Sequence, residues 1–143
     1  MNLIVIIGFQ RSGTTFLRNL LNNHPNILFA EPVRPEPKYF LKNNKELLDI
    51  KVYKKNYFYN LDKKIKFLGE KSTSYIENIE SIKKIGILFP NAKFILLARD
   101  PVNRAISNYK FSYKNKIEKF SFEEAISIEM KGIVRSFKNI SVN

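Results

Sequence analysis

The chain has 143 residues, 44% hydrophobic and 13% aromatic, which is enough for a packed core and excludes a disordered segment. It carries a formal charge of +12, no cysteine and a single histidine, His24, which excludes disulfides, thiolate zinc sites and His-rich metal sites. The charge suits a polyanionic ligand, a nucleic acid or an anionic surface. The lysine pairs at 54–55, 63–64 and 83–84 read more simply as solvated surface. The apolar start, Leu3 to Ile7, is far too short for a membrane span and lacks a basic leader and a cleavage signature. A single cytoplasmic domain over residues 1–143 is therefore expected.

The apolar run Leu3–Ile7 reads as a buried strand that enters Gly8-Phe-Gln-Arg-Ser-Gly13-Thr-Thr15, a glycine-bounded turn. From Thr14 the apolar period becomes helical, with Phe16, Leu17, Leu20 and Leu21 on one face, and the helix is expected to end at Asn22 or Asn23, before Pro25. A strand, a glycine-rich loop and a helix N-terminus form an anion-binding arrangement, because free backbone N–H groups and the helix dipole both favour phosphate. The nucleoside-triphosphate pattern is G-x-x-x-x-G-K-S/T. Here the glycine spacing is kept, but Thr14 and Thr15 follow Gly13 where lysine would stand, and the cation of the loop is Arg11. The loop therefore suits a phosphate ligand other than ATP.

His24 sits at the helix exit as a local cap or packing residue. Ile27–Ala30 reads as a short second strand, and Glu31 to Pro37, with three prolines, as a loop. A helix is expected from Tyr39 to about Ile50. Between Lys51 and Asn60 aromatics alternate with lysines; this pattern can stack on nucleic acid, but it fits a core-packed helix face better. Phe67-Leu68-Gly69 is a brief strand leading to Glu70-Lys71-Ser72. Tyr75 to Leu88 has helical spacing. Phe94 to Ala98 is apolar without alternation, as in a parallel strand covered on both faces. Asp100 and Pro101 then form an N-cap and N1 pair for a helix with Val102, Ala105, Ile106 and Tyr109 on its apolar face. Asp100 and Arg104, one turn apart, suit a local ion pair. Ser121 and Glu124 have capping-box spacing for a last helix.

Strands alternating with helices define an α/β fold: a three-layer, P-loop-like parallel sheet with helices on both faces. Ligands of such sheets bind at the carboxyl ends of the strands. Arg11, Lys71 and Arg99 each follow a strand and should gather on that edge. Arg99, at a strand end, and Ser107, two turns into the next helix, can clamp a second phosphate. Read singly, Arg99 is equally a surface ion pair and Ser107 a solvent-facing helix residue.

Together these segments resemble the sulfotransferases that use 3′-phosphoadenosine 5′-phosphosulfate (PAPS), most closely the heparan-sulfate type. Gly8 to Thr15 is similar to their 5′-phosphosulfate loop. Arg99 to Tyr109 is similar to their 3′-phosphate motif, R-D-P-x-x-R-x-x-S-x-Y. Gly69-Glu70-Lys71-Ser72 matches G-E-K-S/T, and Glu36-Pro-Lys-Tyr39-Phe40 matches the acidic base segment. The four segments come in the family's order.

The resemblance implies sulfuryl transfer from PAPS to an acceptor hydroxyl, of a carbohydrate by the Glu36 segment, in line and without a metal. In that scheme Glu36 is the base, Lys71 steadies the sulfonate or tunes the base, and Arg11 neutralises the leaving phosphate. Ser12, Gly13, Thr14 and Thr15 cradle the 5′-phosphate, while Arg99 and Ser107 hold the 3′-phosphate. Neither nucleic acid nor a membrane span is expected.

The chain departs from the family at Arg11, where a lysine is common, and at Ser72-Thr73, which lacks the usual following proline. Against the family's usual length the domain is also expected to lack the C-terminal part, with Gly132–Lys138 the candidate remnant of its basic loop. Two other readings stay open. One is an ATP-dependent P-loop kinase, which the missing lysine and the lack of a Walker-B aspartate disfavour; the other is a non-catalytic module binding nucleotide or polyanion.

Overall fold

The computed structural model describes residues 2–41 and 49–131. These divide into two compact units, one up to Arg99 and one from Asp100 onward. The first unit is built on four parallel strands, β1 (Asn2–Gly8), β2 (Ile27–Phe29), β3 (Phe67–Lys71) and β4 (Lys93–Leu97), in the order β2-β3-β1-β4. The expected parallel α/β sheet is thus observed. The most apolar strand, β1, lies inside the sheet, flanked by β3 and β4.

Strand pleating assigns the layers. Leu3 and Val5 of β1 and Leu68 of β3 are fully buried on one face, where they join Tyr53 of α2 (Ile50–Tyr57) and Ile85 of α3 (Ile79–Leu88) in one core. Gly69 points to the opposite face. There Phe29 covers it, and Arg18 of α1 (Thr14–Asn22) lies over the Phe29 ring, 5.7 Å from its centroid. Helices therefore cover both faces. Much of the first core is aromatic: Tyr53 packs against Tyr39, Phe40, Tyr57, Phe58 and Phe89 with ring centroids 4.9–5.9 Å apart. The Lys51–Asn60 aromatics are thus a core face, as expected, although Tyr59 is exposed.

Three local expectations are corrected. In α1 the buried side chains are Thr14 and Arg18, while Phe16 is 74% and Leu20 56% exposed. Arg18 is buried because the Glu31 carboxylate, the Ala30 carbonyl and the Phe29 ring take up its charge, so a charged pair displaces the apolar stripe. The run at β4 is not covered on both faces: β4 is the last strand of the order, and Phe94 and Leu96 are exposed. The segment from Tyr75 begins as a 3₁₀ turn, Thr73–Glu77, and becomes α-helical only after Asn78, whose side chain accepts from the Ser81 N–H as N-cap. Of the helix expected from Tyr39, a 3₁₀ turn at Tyr39–Leu41 is described, and residues 42–48 lie outside the described residues.

The second unit contains α4 (Pro101–Lys114) and α5 (Phe122–Met130). Asp100 caps α4 by accepting from the Asn103 N–H, and Ser121 with Glu124 forms the expected capping box on α5. The expected apolar face of α4 contributes no buried residue. Gly132–Lys138 lies outside the described residues.

A Cβ at Gly69 would stand 2.5–2.6 Å from the Phe29 ring. Gly69→Ala should therefore destabilise the protein by about 1–3 kcal/mol, read as a lower urea midpoint. Adding Phe29→Leu should recover part of that loss.

Candidate functional site

Register brings the strand ends together. Ile6 lies opposite Lys71 and Gly8 opposite Leu97, so the segments after β1, β3 and β4 leave from one edge of the sheet. Gly8 is required there: its φ is +147°, and a Cβ would meet the Leu97 carbonyl oxygen at 2.3 Å. The loop then turns through Arg11 at φ +70° and Gly13 at φ +90° into α1. Gly13 occupies the N-cap, and no side chain caps the first turn of the helix. Ser12 Oγ is buried with no hydrogen-bond partner. An uncapped helix start beside an orphaned buried hydroxyl is the donor set an anion would satisfy. Arg99 reaches this loop from the end of β4, its Nη1 donating to the Arg11 carbonyl at 3.1 Å.

On the same edge Lys71 Nζ donates to Glu36 Oε1 at 2.7 Å, and both side chains are largely buried. The other oxygen, Glu36 Oε2, accepts from the Thr73 N–H at 2.9 Å and the Thr73 hydroxyl at 3.0 Å. The carboxylate is thus held by one cation and two neutral donors. The structure brings Glu36 and Lys71 into contact, and Arg99 into contact with the loop of Arg11 to Thr15. Ser107 lies half-buried on α4 in the second unit.

Sequence reasoning missed the partners of these groups. Glu70, next to Lys71 in the strand, points to the opposite, apolar face and is fully buried. Three hydroxyls surround it: Tyr53 donates to Oε2, and Tyr75 and Ser72 donate to Oε1. Burial raises the Glu70 carboxyl above its ordinary value, and the three hydroxyl donors only partly offset this. Burial beside Glu70 also raises both phenols, so both stay protonated. The signal available in the sequence was positional, since Glu70 shares the strand face of Leu68. Thr73, the other missed partner, carried no signal.

Among the described residues no group of His, Asp and Glu is placed to hold a metal ion, and no helix is long and apolar enough to cross a membrane. The sequence matches the profile of the Sulfotransferase family over residues 3–55 and 42–140. The chain belongs to the sulfotransferase family.

As a sulfotransferase-family chain it is 37% identical over 133 residues to the membrane-associated sulfotransferase kil1 of Dictyostelium discoideum, covering 87% of this chain and 27% of that protein. It is 35% identical over 129 residues to the human bifunctional heparan sulfate N-deacetylase/N-sulfotransferase 3, covering 86% of this chain and 15% of the relative. The chain thus spans between about a seventh and a quarter of the length of these relatives. A solved sulfotransferase from Alicyclobacillus acidocaldarius has the same fold, with a TM-score of 0.69 at 24% identity over 91% of this chain and 57% of that one.

The raised Glu70 value fixes the sign of a pH effect. The folded protein holds this proton more tightly than the unfolded chain, so from about pH 4.5 upward this group lowers stability until it has ionised in the folded state. Glu70→Gln should remove that contribution. In urea titrations across this range, the stability of the native protein relative to the variant should fall as pH rises.

Proposed function

We propose that this chain is a PAPS-dependent sulfotransferase domain acting on a carbohydrate hydroxyl. The observation that carries the reading is the Arg99 guanidinium on the Arg11 carbonyl, which joins the loop after β1 to the start of the segment resembling the family's 3′-phosphate motif. A donor with phosphates at both ends of one nucleoside calls for such a pairing. The heparan sulfate named for the relatives supports the carbohydrate class.

The loop residues fit this donor. Backbone N–H groups of Ser12, Gly13, Thr14 and Thr15 and the orphaned Ser12 hydroxyl would cradle the 5′-phosphate. Arg11 would balance charge on the leaving phosphate, and Arg99 would meet the 3′-phosphate, the role that the resemblance also gives Ser107. When bound, the donor supplies an activated sulfuryl group for in-line transfer.

Glu36 takes the proton of the acceptor hydroxyl in this reading. Its two oxygens are oriented by Lys71 and Thr73, which hold the carboxylate in place before the acceptor arrives. Lys71 also brings a positive charge to the place where negative charge is exchanged. The work of the protein is positioning and electrostatic, as in phosphoryl transfer.

Calorimetric titration with adenosine 3′,5′-bisphosphate, against magnesium-ADP, tests the donor site. Preferred binding of the bisphosphate, weakened about tenfold or more by Arg99→Ala, is expected. Preference for magnesium-ADP would establish a kinase instead. In turnover assays with PAPS and desulfated heparan sulfate, Glu36→Gln should lower kcat by about 100-fold or more and leave bisphosphate affinity within about twofold.

A further inference from the structure

We propose that Glu70 is the positioning residue for the Glu36 carboxylate, acting through two hydroxyl relays that both end on Glu70 Oε1; this rests on the reading of Glu36 as the base. In the first relay the Phe40 N–H donates to Tyr75 Oη at 3.1 Å, and Tyr75 donates to Glu70 Oε1. In the second the Lys38 N–H donates to Ser72 Oγ at 3.1 Å, and Ser72 donates to Glu70 Oε1 at 2.8 Å. A backbone N–H can only donate, and each hydroxyl has one proton, so with Glu70 ionised both hydroxyls aim that proton at its carboxylate. The polarity of the two relays is therefore fixed.

The relays grip an irregular piece of backbone. Lys38 has φ +49°, and the segment from Glu36 to Lys38 belongs to no helix or strand. Beside bonds from Tyr57 to the Pro37 carbonyl and from Ser81 and Lys84 to the Phe40 carbonyl, the stretch 70–75 holds it in two ways. Lys71 and Thr73 take the Glu36 carboxylate, while Ser72 and Tyr75 take the backbone two and four residues further on. The strand pleat makes this possible, because it sends Lys71 to one face and Glu70 to the other. A shift of the 36–40 backbone would carry Glu36 off Lys71 and out of reach of a substrate proton.

The relays require only an acceptor at Oε1. A glutamine amide can supply one, with its NH₂ turned to Tyr53, whereas leucine cannot. Glu70→Gln should therefore preserve the position of Glu36, and Glu70→Leu should release it. Ser72→Ala and Tyr75→Phe each cut one relay and carry the test should the leucine variant fail to fold.

Amide hydrogen exchange on the full chain reads the relays directly. Ser72→Ala should speed exchange at Lys38 by about tenfold or more and spare Phe40, and Tyr75→Phe should do the reverse. Glu70→Gln should leave both amides and the Thr73 amide chemical shift, which reports the Glu36 hydrogen bond, close to native. With PAPS and desulfated heparan sulfate, the double variant Ser72→Ala/Tyr75→Phe should lose about tenfold or more in kcat, with the KM for PAPS within about twofold. Adding Glu36→Gln to it should cost nothing beyond Glu36→Gln alone.

Unchanged exchange in both single variants would overturn the positioning role. So would a Glu70→Gln effect as large as that of cutting both relays, since the buried charge would then be what matters. Native turnover in Glu36→Gln alone would instead remove the base assignment and leave the exchange pattern to decide the relays.

Discussion

A carboxylate buried on the apolar face of a sheet must be satisfied by donors, and most of the first unit is arranged around that requirement. Glu70 is fully buried and draws its hydroxyls from α2, from the residue after β3 and from the 3₁₀ turn that follows. Two of them, α2 and the 3₁₀ turn, place the same tyrosines in the aromatic core, so packing and hydrogen bonding constrain the same residues. An unpaired acid there would cost several kcal/mol, which makes the surrounding geometry all but compulsory. The two sides of β3 then divide the labour. The inner side fixes the scaffold, and the outer side presents Lys71 to Glu36.

The phosphate loop obeys a different constraint, which is close approach of backbone. Gly8 lies against the Leu97 carbonyl, and only a residue without Cβ fits. The same closeness brings the end of β4 beside the loop and lets Arg99 reach the Arg11 carbonyl. Two cationic segments far apart in the chain thus meet through a strand register.

The parts of this architecture that were legible in the sequence are local ones. Gly8 and Gly13 marked the loop, Asp100 and Ser121 marked helix starts, and the apolar run of β1 marked a buried strand. The approach of Glu36 to Lys71 was legible only through family resemblance, because 35 residues separate them. The hydroxyls around Glu70 were not legible, since Tyr53 was indistinguishable from any aromatic on a core-facing helix. Apolar content also misled at two places. Phe94 and Leu96 look the same in sequence whether or not a layer covers them, and the Phe16–Leu20 stripe gave no hint that Arg18 would be neutralised by Glu31 and buried in its place.

The inner position of β1 in the sheet has a consequence for how the protein comes into being. β1 pairs with β3 and with β4, which is synthesised after it and whose Leu97 lies opposite Gly8. Such pairing across about 90 residues is of the slow, non-local kind. At roughly 5–20 residues per second, the ribosome needs on the order of ten seconds to deliver β4 after β1. During that interval the most hydrophobic strand of the chain has no partner on that side, and the glycine loop it leads into lacks the wall against which it is shaped. Competence to hold a phosphate therefore waits for β4, although the residues that form the loop emerge well before it.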